Sequence, residues 1–431
     1  MDASFLTGLQ RELTQAQTDF TRRFPGDSGA RQPVSVLYGG AHLFKSDTPQ
    51  KLGALALKAL HDFAPVPQAF HEAFGFSAPL AERVHARVVT KLSTEPLEDL
   101  RVDFEDGYGH RSDDEEDAHA RAAGEAFAKA QLPPFSGVRV KPMSAELGVR
   151  ALRTLELFLA PLSQVPAGFV VTLPKVVSVA QVKLFITALE ALERAKRWAP
   201  GSLRFEVMVE AAQGLVGEDG RALLPQVLAV AGARLRGAHF GAYDFTASLD
   251  IPASEQRLHH PACDVARAQM QLAFAGAGVW LSDGATTQLP VPTHRGATLT
   301  DAQEEENRAG VYAAWRLAAE DTRRSMANGF FQGWDLHPAQ LVSRYAAISG
   351  FYAQNLGEAS RRLKHFVTKL GQASLVGTTF DDAATGQGLL NFFLRGLSCG
   401  ALSEDELLAT GLTRDELASR SFAVIARNRR G

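Results

Sequence analysis

The chain has 431 residues, 45% of them hydrophobic and 22% charged, with a formal net charge of −3. Those values describe a globular protein of one large domain with additions, or of two to three domains, and supply no global field to draw it to nucleic acid or an anionic membrane. Its two cysteines, Cys263 and Cys399, exclude a disulfide framework and a Cys-x-x-Cys zinc site.

The opening residues, "MDASFLTGLQRELTQAQTDFTRRF", have no apolar signal core and read as an amphipathic helix. No run approaches the roughly 20 apolar residues needed to span a bilayer. With so few cysteines, a cytoplasmic location is expected. Short apolar runs then recur at 34–38, 100–104, 137–140, 169–173, 204–209, 237–241, 278–281 and 329–332. Each is followed by Gly or charge and then by a helical pattern, as at 147–158, 178–198, 223–231 and 301–326. Ser178 and Gln181 have capping-box spacing. Eight alternating units predict a (β/α)8 TIM-like barrel rather than an open doubly wound sheet. Gly-x-Gly-x-x-Gly and P-loop signatures are absent.

Two regions exceed a minimal barrel. Residues 62–99 are longer than one crossover helix requires and predict a helical insertion after strand one. Beyond about 345 the pattern is helical, with capping-box spacings at Ser403/Glu406 and Thr413/Glu416 and a Gly-, Thr- and Asp-rich loop or hinge at 371–388. The expected organisation is a helical arm over 1–33, a barrel over 34–345 and a helical C-terminal domain or arm over 346–431. That last segment could cover the barrel mouth or pack on a neighbouring subunit.

Residues 101–120, "RVDFEDGYGHRSDDEEDAHA", carry eight carboxylates. The run 113–117 reads as the solvated first turn of a helix, where acids meet the positive end of the dipole. Upstream, alternation points Asp103 and Glu105 one way and Val102 and Phe104 the other. Asp106 sits at the strand end, free to reach into the mouth as a general base or to orient a water. Glu210 ends strand five and Asp244 follows strand six. Adjacent strands lie about 4.8 Å apart, so these two carboxylates can hold one ion, and an all-oxygen pair suits Mg2+. The competing reading pairs Glu210 with a basic residue such as Lys175. Arg139 and Lys141, two apart, are expected to face one side, and Lys175 ends strand four, so the mouth offers cations for an anionic substrate. Plain ion pairing around the rim is the bland alternative. His42 and His337 follow barrel strands, where either could touch substrate or be structural. His259 and His260 are left unassigned.

In this order, "DFEDG", "VRVKP", "LPKVVS", "VEAAQG", "GAYDFTASL" and "GWDLHPAQL" resemble the strand ends of citrate lyase β-subunit-like proteins, which belong with the HpcH/HpaI aldolases in one superfamily. The resemblance covers roughly 34–345. It implies a TIM-like barrel and a Mg2+-dependent carbon–carbon lyase or aldolase, with Mn2+ as a substitute ion. It implies metal ligands at Glu210 and Asp244, and Arg139 on the carboxylate and enolate oxygen of the substrate. It places the acidic pair at Glu105 and Asp106, with Asp106 where aldolases carry a catalytic His. Lys141, Lys175 and His42 are the further candidates for substrate contact. The expected substrate is a 2-oxo acid such as pyruvate, glyoxylate or oxaloacetate. A CoA thioester, or a barrel that binds without reacting, are the alternatives. Relatives are commonly homo-oligomers, trimers or hexamers. Two departures stand out: Tyr243 replaces the Glu usual before the strand-six Asp, and the first strand reads "QPVSVLYGGAHLFK" without the usual Pro-Gly end.

Overall fold

The computed structural model describes residues 3–368, 374–376, 379–381 and 383–430. Eight parallel strands close into a barrel in chain order: β1 Ser35–Gly40, β2 Asp99–Asp103, β3 Phe135–Arg139, β4 Phe169–Leu173, β5 Arg204–Val209, β6 Leu235–Phe240, β7 Trp280–Ala285 and β8 Gln332–Asp335. All eight expected strands are present. The last lies three residues downstream of its expected place, because Gly329, at φ +85°, belongs to the turn before it.

The helices are α1 Ala3–Arg23, α2 Thr48–Phe63, α3 Pro67–Phe74, α4 Ala78–Thr94, α5 Asp113–Lys129, α6 Gly148–Leu159, α7 Val179–Lys196, α8 Leu223–Ala231, α9 Ala242–Ala247, α10 Pro261–Phe274, α11 Asp301–Ala327, α12 Gln340–Thr368, α13 Ala383–Ser398, α14 Glu404–Leu408, α15 Arg414–Ser419 and α16 Phe422–Arg430. Among the described residues none is long and apolar enough to cross a membrane. The expected insertion is α3 with α4. It is bound by aromatic packing of Phe74 on Trp315 and by a bond from the Tyr345 hydroxyl to the Pro96 carbonyl at 2.9 Å. The capping boxes at Ser178, Ser403 and Thr413 all form.

Three expectations change. Ser112 caps α5, and Asp113, Asp114 and Glu115 are exposed as expected of a solvated first turn. Glu116 is not solvated: it is buried and pairs with Lys141 at 2.8 Å and with Arg150. One turn into the helix the chain already faces α6, so this acid meets partners instead of water. The loop expected over 371–388 is partly regular structure. Short strands Ser374–Val376 and Thr379–Asp381 pair antiparallel, α13 begins at Ala383, and the other residues of that stretch lie outside the described ones. Finally, the described C-terminal helices join the barrel where strands begin. Arg395 donates to Gln32 Oε1 at 3.1 Å and lies over Phe331, and Arg87 of α4 donates to the Ala401 carbonyl. They sit at the end opposite this chain's own mouth.

Helices α5 and α6 meet at a glycine. A Cβ on Gly124 would lie 2.3 Å from the Phe158 carbonyl oxygen. Gly124→Ala must push the helices apart and is expected to destabilise the protein by about 1–3 kcal/mol. Urea denaturation measures it; an unchanged midpoint would mean that the helices do not approach so closely.

Candidate active site

The barrel lumen is charged, and it is paired layer by layer. On the floor, Arg101 grips Glu206 through Nε at 2.9 Å and Nη2 at 3.1 Å, and also pairs with Asp99. His239 Nε2 lies 3.0 Å from Glu206, and its Nδ1 meets the Tyr38 hydroxyl at 3.3 Å. One layer up, β2 and β3 place Asp103 directly opposite Arg139. Arg139 donates from Nε and Nη2 to the two Asp103 oxygens at 2.7 and 2.6 Å. Its guanidinium lies over the Tyr38 and Trp334 rings, 5.0 and 5.2 Å from their centres. Only Nη1 points onward, to Glu105 at 2.9 Å and Asp106 at 3.3 Å.

At the mouth, four carboxylates surround one ammonium. Lys175 Nζ pairs with Glu105 and lies 3.4 Å from Asp106 and 3.8 Å from Asp244. The Lys175 backbone N–H donates to Glu210 Oε1 at 2.6 Å. That bond requires a left-handed backbone, φ +51°, at a non-glycine residue. Glu210 is seated beside Gly241, where a Cβ would come within 2.7 Å of its second oxygen. Burial, then the neighbouring Glu105 and Asp244, push the Glu210 carboxyl up to about 8. Burial also raises Glu105, to about 7, against the pull of Arg139. Burial acts on Asp106 too, but Arg139, a hydrogen bond with Glu105 and Lys175 outweigh it and hold that carboxyl low.

Among the described residues no group of three or more Asp, Glu, His or Cys side chains forms a ready-made cage. Glu210 and Asp244 can still hold a hard divalent cation that takes its remaining ligands from water and substrate. The crowding that raises Glu210 is the signature of a carboxylate set short of positive charge.

The family model described as "Domain of unknown function (DUF6986)" matches residues 13–425. The chain belongs to the DUF6986 family. It has no significant match among curated proteins. A citrate lyase from Burkholderia xenovorans LB400 is 20% identical, with 88% of this chain and 96% of that chain covered and a TM-score of 0.57. Protein CitE of Mycobacterium tuberculosis, solved with magnesium, acetoacetate and coenzyme A, is 20% identical over 86% and 99% of the two chains, with a TM-score of 0.48. A Haloferax volcanii malate synthase is 14% identical over 93% and 98%, with a TM-score of 0.46. The DUF6986 barrel thus shares the fold of the Burkholderia citrate lyase, the TIM-like barrel that its strand-end motifs imply.

Of the expected site residues, the DUF6986 mouth gathers Glu105, Asp106, Arg139, Lys175, Glu210 and Asp244. Asp103 and Glu105 do share a face, while Phe104 packs outward on Phe158. Lys141 does not join Arg139. β3 ends at Arg139, alternation stops there, and the Lys141 ammonium turns to Glu116 and the Phe104 carbonyl. His42 stays on the rim against Tyr108 and His119. His337 turns inward on its own segment, its Nδ1 accepting from the Ala339 N–H at 3.1 Å. Sequence reasoning did not single out Asp103, Tyr38 or Trp334. Asp103 was findable, since it alternates with Glu105 and lies level with Arg139. The rings come from strands one and eight, which meet only on closure.

The raised carboxyls make stability depend on pH. Folded Glu105 and Glu210 keep protons that the unfolded chain, with ordinary values near 4.5, has released. Their contribution is full below about 4.5 and is lost as pH rises through about 7 to 8. Urea denaturation in chelator is therefore expected to show falling stability across that range, with a shallower fall in Glu210→Gln. An equal slope in the variant would remove Glu210 as a source.

Proposed function

We propose that the DUF6986 barrel is a Mg2+-dependent carbon–carbon lyase or aldolase acting on a 2-oxo acid of the pyruvate, glyoxylate or oxaloacetate type, with Mn2+ able to replace Mg2+. The observation that carries this reading is the meeting of a two-carboxylate pair, a fixed arginine and a near-neutral carboxyl at the strand carboxyl ends, where barrel enzymes keep their chemistry. A divalent cation on Glu210 and Asp244 would supply Lewis-acid polarisation of the 2-oxo carbonyl.

The chain's own residues divide the remaining work. Arg139 has two donors committed to Asp103, so Nη1 is the edge that meets the substrate carboxylate and the developing oxyanion. Such a fixed donor is worth several kcal/mol in the transition state. Glu105, raised to about 7, is the group that takes or returns a proton near neutral pH. Asp106, expected from sequence as the base, is held ionised and serves better as its hydrogen-bonded partner. A substrate carboxylate arriving at Nη1 competes with Glu105 for Arg139 and leaves Glu105 more basic at that moment. Lys175 spans Glu105, Asp106 and Asp244 and keeps the acids in register. Lys141, engaged with Glu116 and the Phe104 carbonyl, has no part.

Proton NMR of pyruvate in D2O tests the reading. Mg2+-dependent loss of the methyl signal is expected, abolished in Asp244→Ala. Arg139→Lys, which keeps the charge but loses the bidentate fork, is expected to slow exchange by about 100-fold. Exchange retained in Asp244→Ala would sink the metal assignment. Exchange at acetyl-CoA instead of pyruvate would move the reading to CoA-thioester chemistry.

A further inference from the structure

At the opposite end of the barrel, where strands begin, one arginine breaks the pairing rule of this protein. Arg101, Arg139, Arg234, Arg267 and Arg344 are buried or largely so, and each faces a carboxylate. Arg236 is half-buried, and among the described residues it has no hydrogen-bond or ion-pair partner. Its guanidinium instead lies over Trp280, 3.3 Å from the ring centre. Burial and the like charge of Arg204 oppose its charge and, against the weaker pull of Glu206, lower it to about 10.

The strand geometry makes this placement a local construction. β5 and β6 pair Phe205 with Leu235 and Glu206 with Gly237, so Arg236 is an extra residue in β6. Such bulges are rare in parallel pairs, and they re-aim a side chain. Arg236 borders a cleft of about 990 Å3 between the end of α1 and the barrel floor. Arg22, Arg23, Arg204 and Arg236 line this cleft, and Asp19 is its one acid. Phe20 and Phe24, packed together at 5.1 Å, form an apolar wall. Arg204 and Arg236 have no ion-pair partner among the described residues, and Arg236 is held against an aromatic ring, so the two are arranged for an anion brought from outside.

We propose that this cleft binds a small organic phosphate, its charged groups on Arg204 and Arg236 and its body against Phe20 and Phe24. The site is separate from the mouth and independent of the reaction assigned there.

Isothermal titration with inorganic pyrophosphate and with ADP, both in chelator without divalent ions, tests it. Both probes are expected to bind, ADP more tightly, and added KCl is expected to weaken both. Arg236→Gln and Arg204→Glu should each lower affinity by at least about tenfold. Arg204 is exposed at a strand start, so Arg204→Glu keeps the test alive if Arg236→Gln does not fold. No binding of either probe at millimolar concentration overturns the proposal, as does unchanged affinity in Arg204→Glu.

Discussion

The two-pronged bond between Asp103 and Arg139 lies where the barrel stops being core and becomes mouth. Both side chains are almost without solvent contact. A buried pair recovers its desolvation cost only with good geometry, and removing one partner leaves a charge uncompensated at about 3–5 kcal/mol. Asp103 does more than neutralise: by occupying Nε and Nη2 it decides which edge of Arg139 faces outward. The rings of Tyr38 and Trp334 fix the plane. Tyr38 also reaches His239, and His239 reaches Glu206, so the floor and the arginine layer are one network. Each layer is satisfied before the next begins.

The top layer is where that accounting stops balancing. Glu105, Asp106, Glu210 and Asp244 share Lys175 and one edge of Arg139. Two of the four carboxyls respond by holding protons at pH values where free acids have lost them. A left-handed lysine costs roughly 1–3 kcal/mol where a glycine would cost little. That cost is accepted here because the strained residue delivers its N–H to Glu210 and its ammonium to the other acids. A cation held as proposed between Glu210 and Asp244 would relieve the same crowding, so stability and ion affinity would draw on one charge deficit.

Sequence reading recovers what is local. Each barrel strand announces itself by a short apolar run, and each mouth carboxylate by its position at the end of one. Ser178, Ser403 and Thr413 cap their helices because capping is decided within four residues. Reading fails where a partner arrives from elsewhere. Glu116 looks like one more acid of a solvated run until α6 brings Arg150 and β3 brings Lys141. Lys141 looks like a companion of Arg139 until the strand ends at Arg139 itself. The C-terminal helices carry clear helix signals but no signal of which barrel end they join, since Arg395 and Gln32 are 363 residues apart.

A net charge of −3 conceals two ends of opposite character. Parallel strands deliver all their carboxyl ends to one face, and this chain places there four acids that share Lys175 and one edge of Arg139. The amino ends face the other way, and the bulge at Arg236 adds positive charge on that side. Between them the lumen is filled by paired charge, with Arg101 and Glu206 at its floor. Both ends rest on one strand: Arg204 begins β5, Glu206 lies within it beside the floor, and Glu210 follows directly after it at the mouth.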